Sequence, residues 1–482
     1  MVTDGGASYA AKKDVPANTA LTNTEYWQKL VDTVAGVEIG DTATYATTEL
    51  LFNPEGTNEH TVPEVDDASV SEGDTWSSSK INGELQELKD GVALLSVIAR
   101  KQIQFNDYAE IKKLVQTGGA KTVFNIGDQI PMKWSPNGTT EYDMPWDVVD
   151  IAPVINADGD EVPGLWLQSH WALPGLQFDA SEALYYTESG LPAGTYHFTI
   201  GTTWGNNCVA GKVYQFTLTQ PVPAGGQICV ANGTNFYTWG APDVSPTNWK
   251  IYTFGAFSTT PVESGVSITE GDGGTDLGTT TSAIKYGETT GINNLQRAAH
   301  GYNRDSHSAM FQWLNSAEDA GGWQVQKNPF DRPAQQLATI RGFMAGLPSD
   351  FLNAVGNVQV TTALNTTSDS QLGTSETYNA KFFLASLEQE YVNPQLANVE
   401  GKYWPYWKER LDLDSPQGWY GDHVNANHIR YSISNHNSAQ HVRFRSCYRG
   451  NSYYVWHVYT TGGVSYNSAT YANTPAPACV IC

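Results

Sequence analysis

Long apolar runs are missing from this 482-residue chain, and without about 18 consecutive apolar residues no segment is expected to insert in a membrane. Charge is scarce as well, at 16% of residues, against about 25% in ordinary globular domains. Bases are scarcer than acids: 27 Lys and Arg face 50 Asp and Glu, a net charge of −23. That balance excludes a general nucleic-acid-binding surface, which needs clustered positive charge. Only five cysteines occur, at 208, 229, 447, 479 and 482, so one has no partner within the chain. A disulfide scaffold or a cysteine-built zinc site is not expected. The opening residues MVTDGGASYAAKKDVP lack an apolar core, so no secretory signal is expected. No GxSxG, P-loop or HExxH spacing occurs, and the reading calls for no enzyme activity, no cofactor and no metal.

Aromatic residues and glycine are abundant: 15 Trp, 25 Tyr, 16 Phe and 45 Gly. The length exceeds one ordinary core and implies several domains. Residues 1–75 are acidic and rich in Thr and Ala, and read as an anchoring arm. Within them, Leu21–Leu30 suggests a short helix capped by Thr22 or Thr24, with Tyr26, Trp27 and Leu30 on its apolar face. Residues 76–103 carry Ile81, Leu85, Leu88, Val92, Leu95 and Ala99 at alternating spacings of four and three. That is a heptad seam, read here as a short coiled-coil neck joining three copies of the chain.

Residues 104–174 open a larger body: a helix from Tyr108 to Val115 stopped by Gly118-Gly119, then strands around Phe124–Trp134, Trp146–Ile151 and Leu165–Leu167. Residues 175–285 read as an inserted all-β unit, from the alternation in Tyr196–Ile200 and Val213–Thr219. Its Gly- and Thr-rich end, 270–281, reads as a linker or surface loop. Residues 286–482 close the chain, with short helical and apolar runs at Ala309–Leu314, Asp350–Val355 and Lys381–Leu387. The carboxylate pairs Asp412/Asp414 and Glu388/Glu390 read as solvated surface, and Cys447 and Cys479 as core positions on neighbouring strands.

From Trp419 onward the composition changes. One acid, Asp422, stands among four arginines and five histidines, and six tyrosines fall between Cys447 and Asn473. Tyr, Asn and Ser at this density favour a binding face, since Tyr offers a large amphipathic surface with few rotatable bonds. A frame of Val455, Trp456, Val458, Gly462, Gly463, Val464 and Ala469 alternates with these polar and aromatic positions.

The frame, with Arg443–Arg449 and Pro475–Ile481, resembles a C-type-lectin-like domain of the kind that ends gut phage fibre proteins. Asn315-Ser316, Gly321-Gly322-Trp323, Asn328–Pro333 and Gly342–Met344 resemble the upstream half of that domain, and Leu21–Leu30 and Trp76–Asn82 resemble the beginnings of phage fibres. Some such fibres are diversified by retroelements that miscopy template adenines. The resemblance implies a ligand-binding face of Tyr448, Asn451, Tyr453, Tyr454, His457, Tyr459, Ser465, Tyr466, Asn467, Ser468, Tyr471 and Asn473, extending upstream to Asn425, Asn427, His428, Asn435 and His436. The expected fold is α+β and multidomain: arm, trimeric neck, and a lectin-like head carrying the inserted β unit. The expected protein is a virion surface fibre, made in the host cytoplasm. It would be a homotrimer, mounted on virion proteins through the arm, and would bind a host-surface or environmental glycan or protein. Two alternatives are a capsid-mounted head fibre or decoration protein, and a virion-borne glycan hydrolase.

Overall fold

The computed structural model describes residues 2–4, 7–11, 20–21, 27–31, four residues between 82 and 89, 107–232, 245–281, 291–421 and 423–482. The chain divides into two compact units, Met1–Ile98 and Ala99–Cys482. In the first, Val2–Asp4, Ala7–Ala11 and Trp27–Val31 form a three-stranded antiparallel sheet. This corrects the helix expected at Leu21–Leu30. The backbone groups of Trp27–Val31 pair with Ala7–Ala11, with Trp27 opposite Ala11, so strand pairing overrides a local capping signal.

The expected α+β fold with a coiled-coil neck is also corrected. The described residues are mainly β-sheet, with six short α-helices of which the longest is Tyr108–Gln116. No long coiled-coil neck is evident among them. Of the seam residues, Ile81, Leu88, Val92, Leu95 and Ala99 lie outside the described residues, while Leu85 is helical and exposed. A 4-3 spacing over three heptads is equally compatible with a single short helix.

The second unit is organised by a five-stranded antiparallel sheet in the order Phe382–Leu384, Pro477–Ile481, Leu165–Ser169, Trp146–Ile151, Gln129–Ile130. Both of its faces are covered. Trp146, Val148, Leu165, Leu167, Cys479 and Ile481 join a core with the Tyr108–Gln116 and Ala309–Leu314 helices. Val149, Ala478, Val480 and Phe383 pack on the other side against Trp404 and Trp407. A strand buried on both faces needs no polar alternation, which explains the apolar run Ala-Cys-Val-Ile at 478–481. Asp107 caps the Tyr108–Gln116 helix by accepting from the Glu110 N–H. Lys381–Leu387, grouped above with helical segments, supplies an edge strand of this sheet instead.

The stretch read as all-β holds two sheets. One runs Pro261–Ser267, Trp249–Phe254, Gly226–Asn232, Tyr185–Thr187, Gly291–Ile292, and the other Thr269–Glu270, Val213–Leu218, Gly194–Thr199, Thr275–Thr279. They face one another over Tyr196, Phe198, Phe216, Ile228, Val230, Trp249 and Ile251. Two expectations are corrected here. The Gly- and Thr-rich run is not simply a loop, because Thr275–Thr279 pairs parallel to Gly194–Thr199. At Gly274, with φ +76°, an added Cβ would collide with the Thr195 carbonyl oxygen at 1.9 Å. The core of the unit also continues past residue 285, through Ile292, Leu295, Ala298 and Ala299.

Candidate functional site

The polar and aromatic C-terminal segment folds as a three-stranded antiparallel sheet of Val442–Cys447, Tyr454–Val458 and Val464–Ser468. Trp456 stands opposite Tyr466, His457 opposite Ser465, and Val455 opposite Asn467. Neighbours across strands share a face and successive residues alternate. The candidate positions therefore divide between two faces.

On one face, Phe444, Trp456, Val458 and Val464 pack against Leu387 and Val392. Beyond that core lies a cluster of partly exposed tyrosines. Ring centroids of Tyr448 and Tyr466 are 4.2 Å apart, those of Tyr454 and Tyr466 4.8 Å, and Tyr420 meets Tyr466 edge-on at 6.0 Å. Trp456 backs the cluster, 5.3 Å from Tyr466 and 5.8 Å from Tyr448, and Trp419 packs on Trp456 at 5.0 Å. Burial raises the hydroxyl pKa of Tyr454, and of Tyr448 and Tyr466 as well, so these groups are neutral hydrogen-bond donors. Tyr420 is 47% exposed and Tyr471 58%. Trp419 and Tyr420 were not among the candidates; their composition matched the later tyrosines, but no strand spacing linked them.

The opposite face carries His441, Arg443, His457 and Tyr459, with Ser465 and Asn467 partly exposed beside them. Tyr459 is 39% exposed, and its ring lies edge-on to His457 at 4.6 Å and to His441 at 5.2 Å.

Several candidates do not stand on an open contact surface. His457 is fully buried, and Tyr453, Ser468 and Asn473 are buried. Tyr453 stacks on His300 at 5.0 Å, and Ser468 Oγ lies 2.8 Å from His300 Nδ1. His300 meets Trp204 of the β unit edge-on at 5.4 Å, so these residues join the segment to that unit. Burial pushes His300 down to about 4. Asn451 accepts from the Tyr453 and Tyr454 N–H groups at 3.0 and 2.8 Å and shapes the turn. Asn473 reaches Asn467. Upstream, Asn427, Asn435 and His436 are exposed, Asn425 is half-buried with its amide donating to the Leu411 carbonyl, and His428 is buried. Composition marked the segment correctly as polar and aromatic, but period-2 alternation sends half of any strand inward.

The carboxylates also depart from expectation. Asp412 and Asp414 are exposed, whereas Glu388 and Glu390 are buried. Glu390 accepts from Gln168 Nε2 at 2.6 Å and lies 3.0 Å from His428 Nε2. Although burial opposes it, contact with His428 and Arg430 holds its carboxyl below the usual range. Such a group is ionised and enclosed, and so suits structure rather than general-acid work on a polysaccharide. Asp147 similarly bonds His170 at 2.9 Å, yet the Ser169 hydroxyl donates to the Trp171 carbonyl and not to that histidine. Ser169 therefore does not stand to that pair as the serine of a hydrolytic triad.

All five cysteines are free thiols, and Cys447 and Cys479 are buried as expected but belong to different sheets. Cys479 and Cys482 have C-x-x-C spacing. Three residues apart along an extended chain, their side chains leave on opposite sides, so that spacing forms no redox pair here.

A family model described as a domain of unknown function (DUF6273) matches residues 284–482. The match takes in both faces of the three-stranded sheet. No curated protein and no solved structure matches the chain.

Proposed function

We propose that this is a binding protein of a phage particle surface, a fibre whose C-terminal residues grip a host-surface or environmental ligand. The observation that carries the reading is the tyrosine cluster of Tyr420, Tyr448, Tyr454 and Tyr466. Its rings are half-exposed and braced from behind by Trp456, on which Trp419 packs. Braced tyrosines lose little freedom on binding and present both a π-face and a hydroxyl, which suits the apolar faces and hydroxyls of a sugar. Residues 1–75 would serve as the attachment to the particle, in keeping with their acidic composition. Several copies on one particle would multiply a weak single-site affinity.

The test replaces Tyr454 and Tyr466 by Ala and measures adsorption of the protein to host cells, together with its circular dichroism. Adsorption should fall at least tenfold while the folded signal is kept. Unchanged adsorption by a folded variant would overturn the reading.

A further inference from the structure

The second face of the same sheet has a chemistry of its own. Arg443 is buried, and its guanidinium is held wholly by backbone carbonyls. One terminal nitrogen donates to Val455 at 2.9 Å and Asn467 at 3.4 Å, the other to Ser468 at 2.6 Å and Tyr471 at 3.3 Å. No carboxylate among the described residues pairs with it. Its Nε has no partner, nor has either ring nitrogen of His457, nor Nδ1 of His441. The register puts the three residues on one face: Arg443 is opposite His457, and His441 and Tyr459 lie two residues beyond each. The imidazole rings of His441 and His457 are 5.4 Å apart.

Buried donors without acceptors and a buried cation without a counter-charge are both costly, and native proteins rarely keep them idle. A single oxyanion would satisfy both deficits. Burial together with Arg443 drives His457 down to about 2, so the unliganded site holds neutral imidazoles, each able to donate one N–H. Tyr459, exposed and resting on both rings, has the position of a lid, and an exposed ring changes rotamer quickly. Ser465 and Asn467, partly exposed beside it, offer groups for neighbouring hydroxyls.

We propose that the His441–Arg443–His457 face is a subsite for an oxyanion, a carboxylate or sulfate ester carried by an acidic glycan, entered past Tyr459. The protein as a whole carries −23 and repels polyanions at long range. Capture would therefore depend on this local site and not on general attraction. The glycan assignment rests on the binding role proposed above; the oxyanion site itself does not.

The experiment uses the full chain with 15N-labelled histidine, titrated with sodium sulfate and with sodium glucuronate at constant ionic strength. The His457 and His441 ring signals should shift saturably with at least one of them, and the responding anion identifies sulfate ester or carboxylate as the preferred group. In His441→Gln the remaining His457 shift should need several-fold more anion. Binding to dextran sulfate and to hyaluronan is then compared with neutral dextran, and at least one acidic polymer should bind about tenfold more tightly, the gain one charge-assisted contact gives. No saturable shift at His457 with either anion overturns the subsite. A saturable shift without preference for either acidic polymer overturns the glycan as its source. Replacing Tyr454 and Tyr466 by Ala separates the two proposals, because it should lower cell adsorption at least tenfold and leave the His457 titration intact.

Discussion

The β unit and the C-terminal region differ in how much charge they bury. Between its two sheets the β unit closes on Phe198, Phe216, Ile228, Val230, Trp249 and Ile251, and its buried charged groups among the described residues are Asp179 and Glu182. The C-terminal region buries Asp305, Asp331, Asp369, Glu390, Glu400, Arg430, Arg443 and Arg445. Its polar groups form specific sets. Glu400 accepts from the Thr362 hydroxyl, the Ala363 N–H and the Ser446 hydroxyl, while Arg445 donates to the Leu384 and Glu400 carbonyls. An apolar core tolerates repacking, whereas a hydrogen-bonded network fixes one arrangement. The region beneath the candidate binding surface thus has the stricter interior.

The helix Leu295–His300 is the seam between the two. Leu295, Ala298 and Ala299 enter the apolar core, while Arg297 forms a bidentate pair with buried Glu182 and His300 reaches Ser468. Arg297→Ala should cost about 3–5 kcal/mol in urea unfolding, because it leaves Glu182 charged, buried and unpaired. Replacing both residues together by apolar ones of similar size should recover much of that loss. If the single change proves mild, the contrast between the two interiors fails.

His300 gives the next largest effect. Burial holds it at about 4 in the folded chain, against about 6.5 when unfolded. Between those values the unfolded chain binds a proton that the folded chain refuses. The stability is therefore fully present above about pH 6.5 and is lost as pH falls toward 4. The cost between pH 7 and pH 5 is roughly 2 kcal/mol. Asp305 and Asp331, pushed up to about 7, act in the opposite direction over the same range. Comparison of unfolding midpoints for the native chain and His300→Gln at the two pH values isolates the histidine, and acidification should shift the variant's stability relative to the native chain by roughly 2 kcal/mol in the variant's favour.

In the apolar unit, Ile251→Val should cost only about 0.5–1.5 kcal/mol and leave the pH profile unchanged. Smallest of all, Tyr471→Ser should move stability by no more than about 0.5 kcal/mol, since the side chain is exposed and only its carbonyl meets Arg443. A large loss there would mean that the surface and its frame are not separable.

The same contrast explains what could be read from sequence. Tyr196–Ile200 and Val213–Thr219 alternate because one face of each strand is dry, and those strands stand where alternation puts them. Tyr108–Val115 carries its own cap and its own stop. Glu390 and Arg443 gave no such signal, for a charged residue in sequence looks solvated until its partners are known. Gln168 and His428, which hold Glu390, lie 222 and 38 residues from it. The tyrosine segment was recognisable from composition, but which side chains face outward was not, since that depends on register. Thr275–Thr279 was missed because a parallel partner 80 residues upstream leaves no local trace.

The strand Pro477–Ile481 lies inside the five-stranded sheet, between Leu165–Ser169 and Phe382–Leu384. During synthesis, every residue of the tyrosine segment must emerge before that gap is filled. Such distant pairing is slow to form and leaves sheet edges open until it does. A frameshift or premature stop anywhere between 443 and 473 removes the strand and leaves those edges exposed. The strand therefore acts as a checksum on the stretch before it: changes that alter a surface tyrosine leave it in place, and errors that break the reading frame remove it from the sheet.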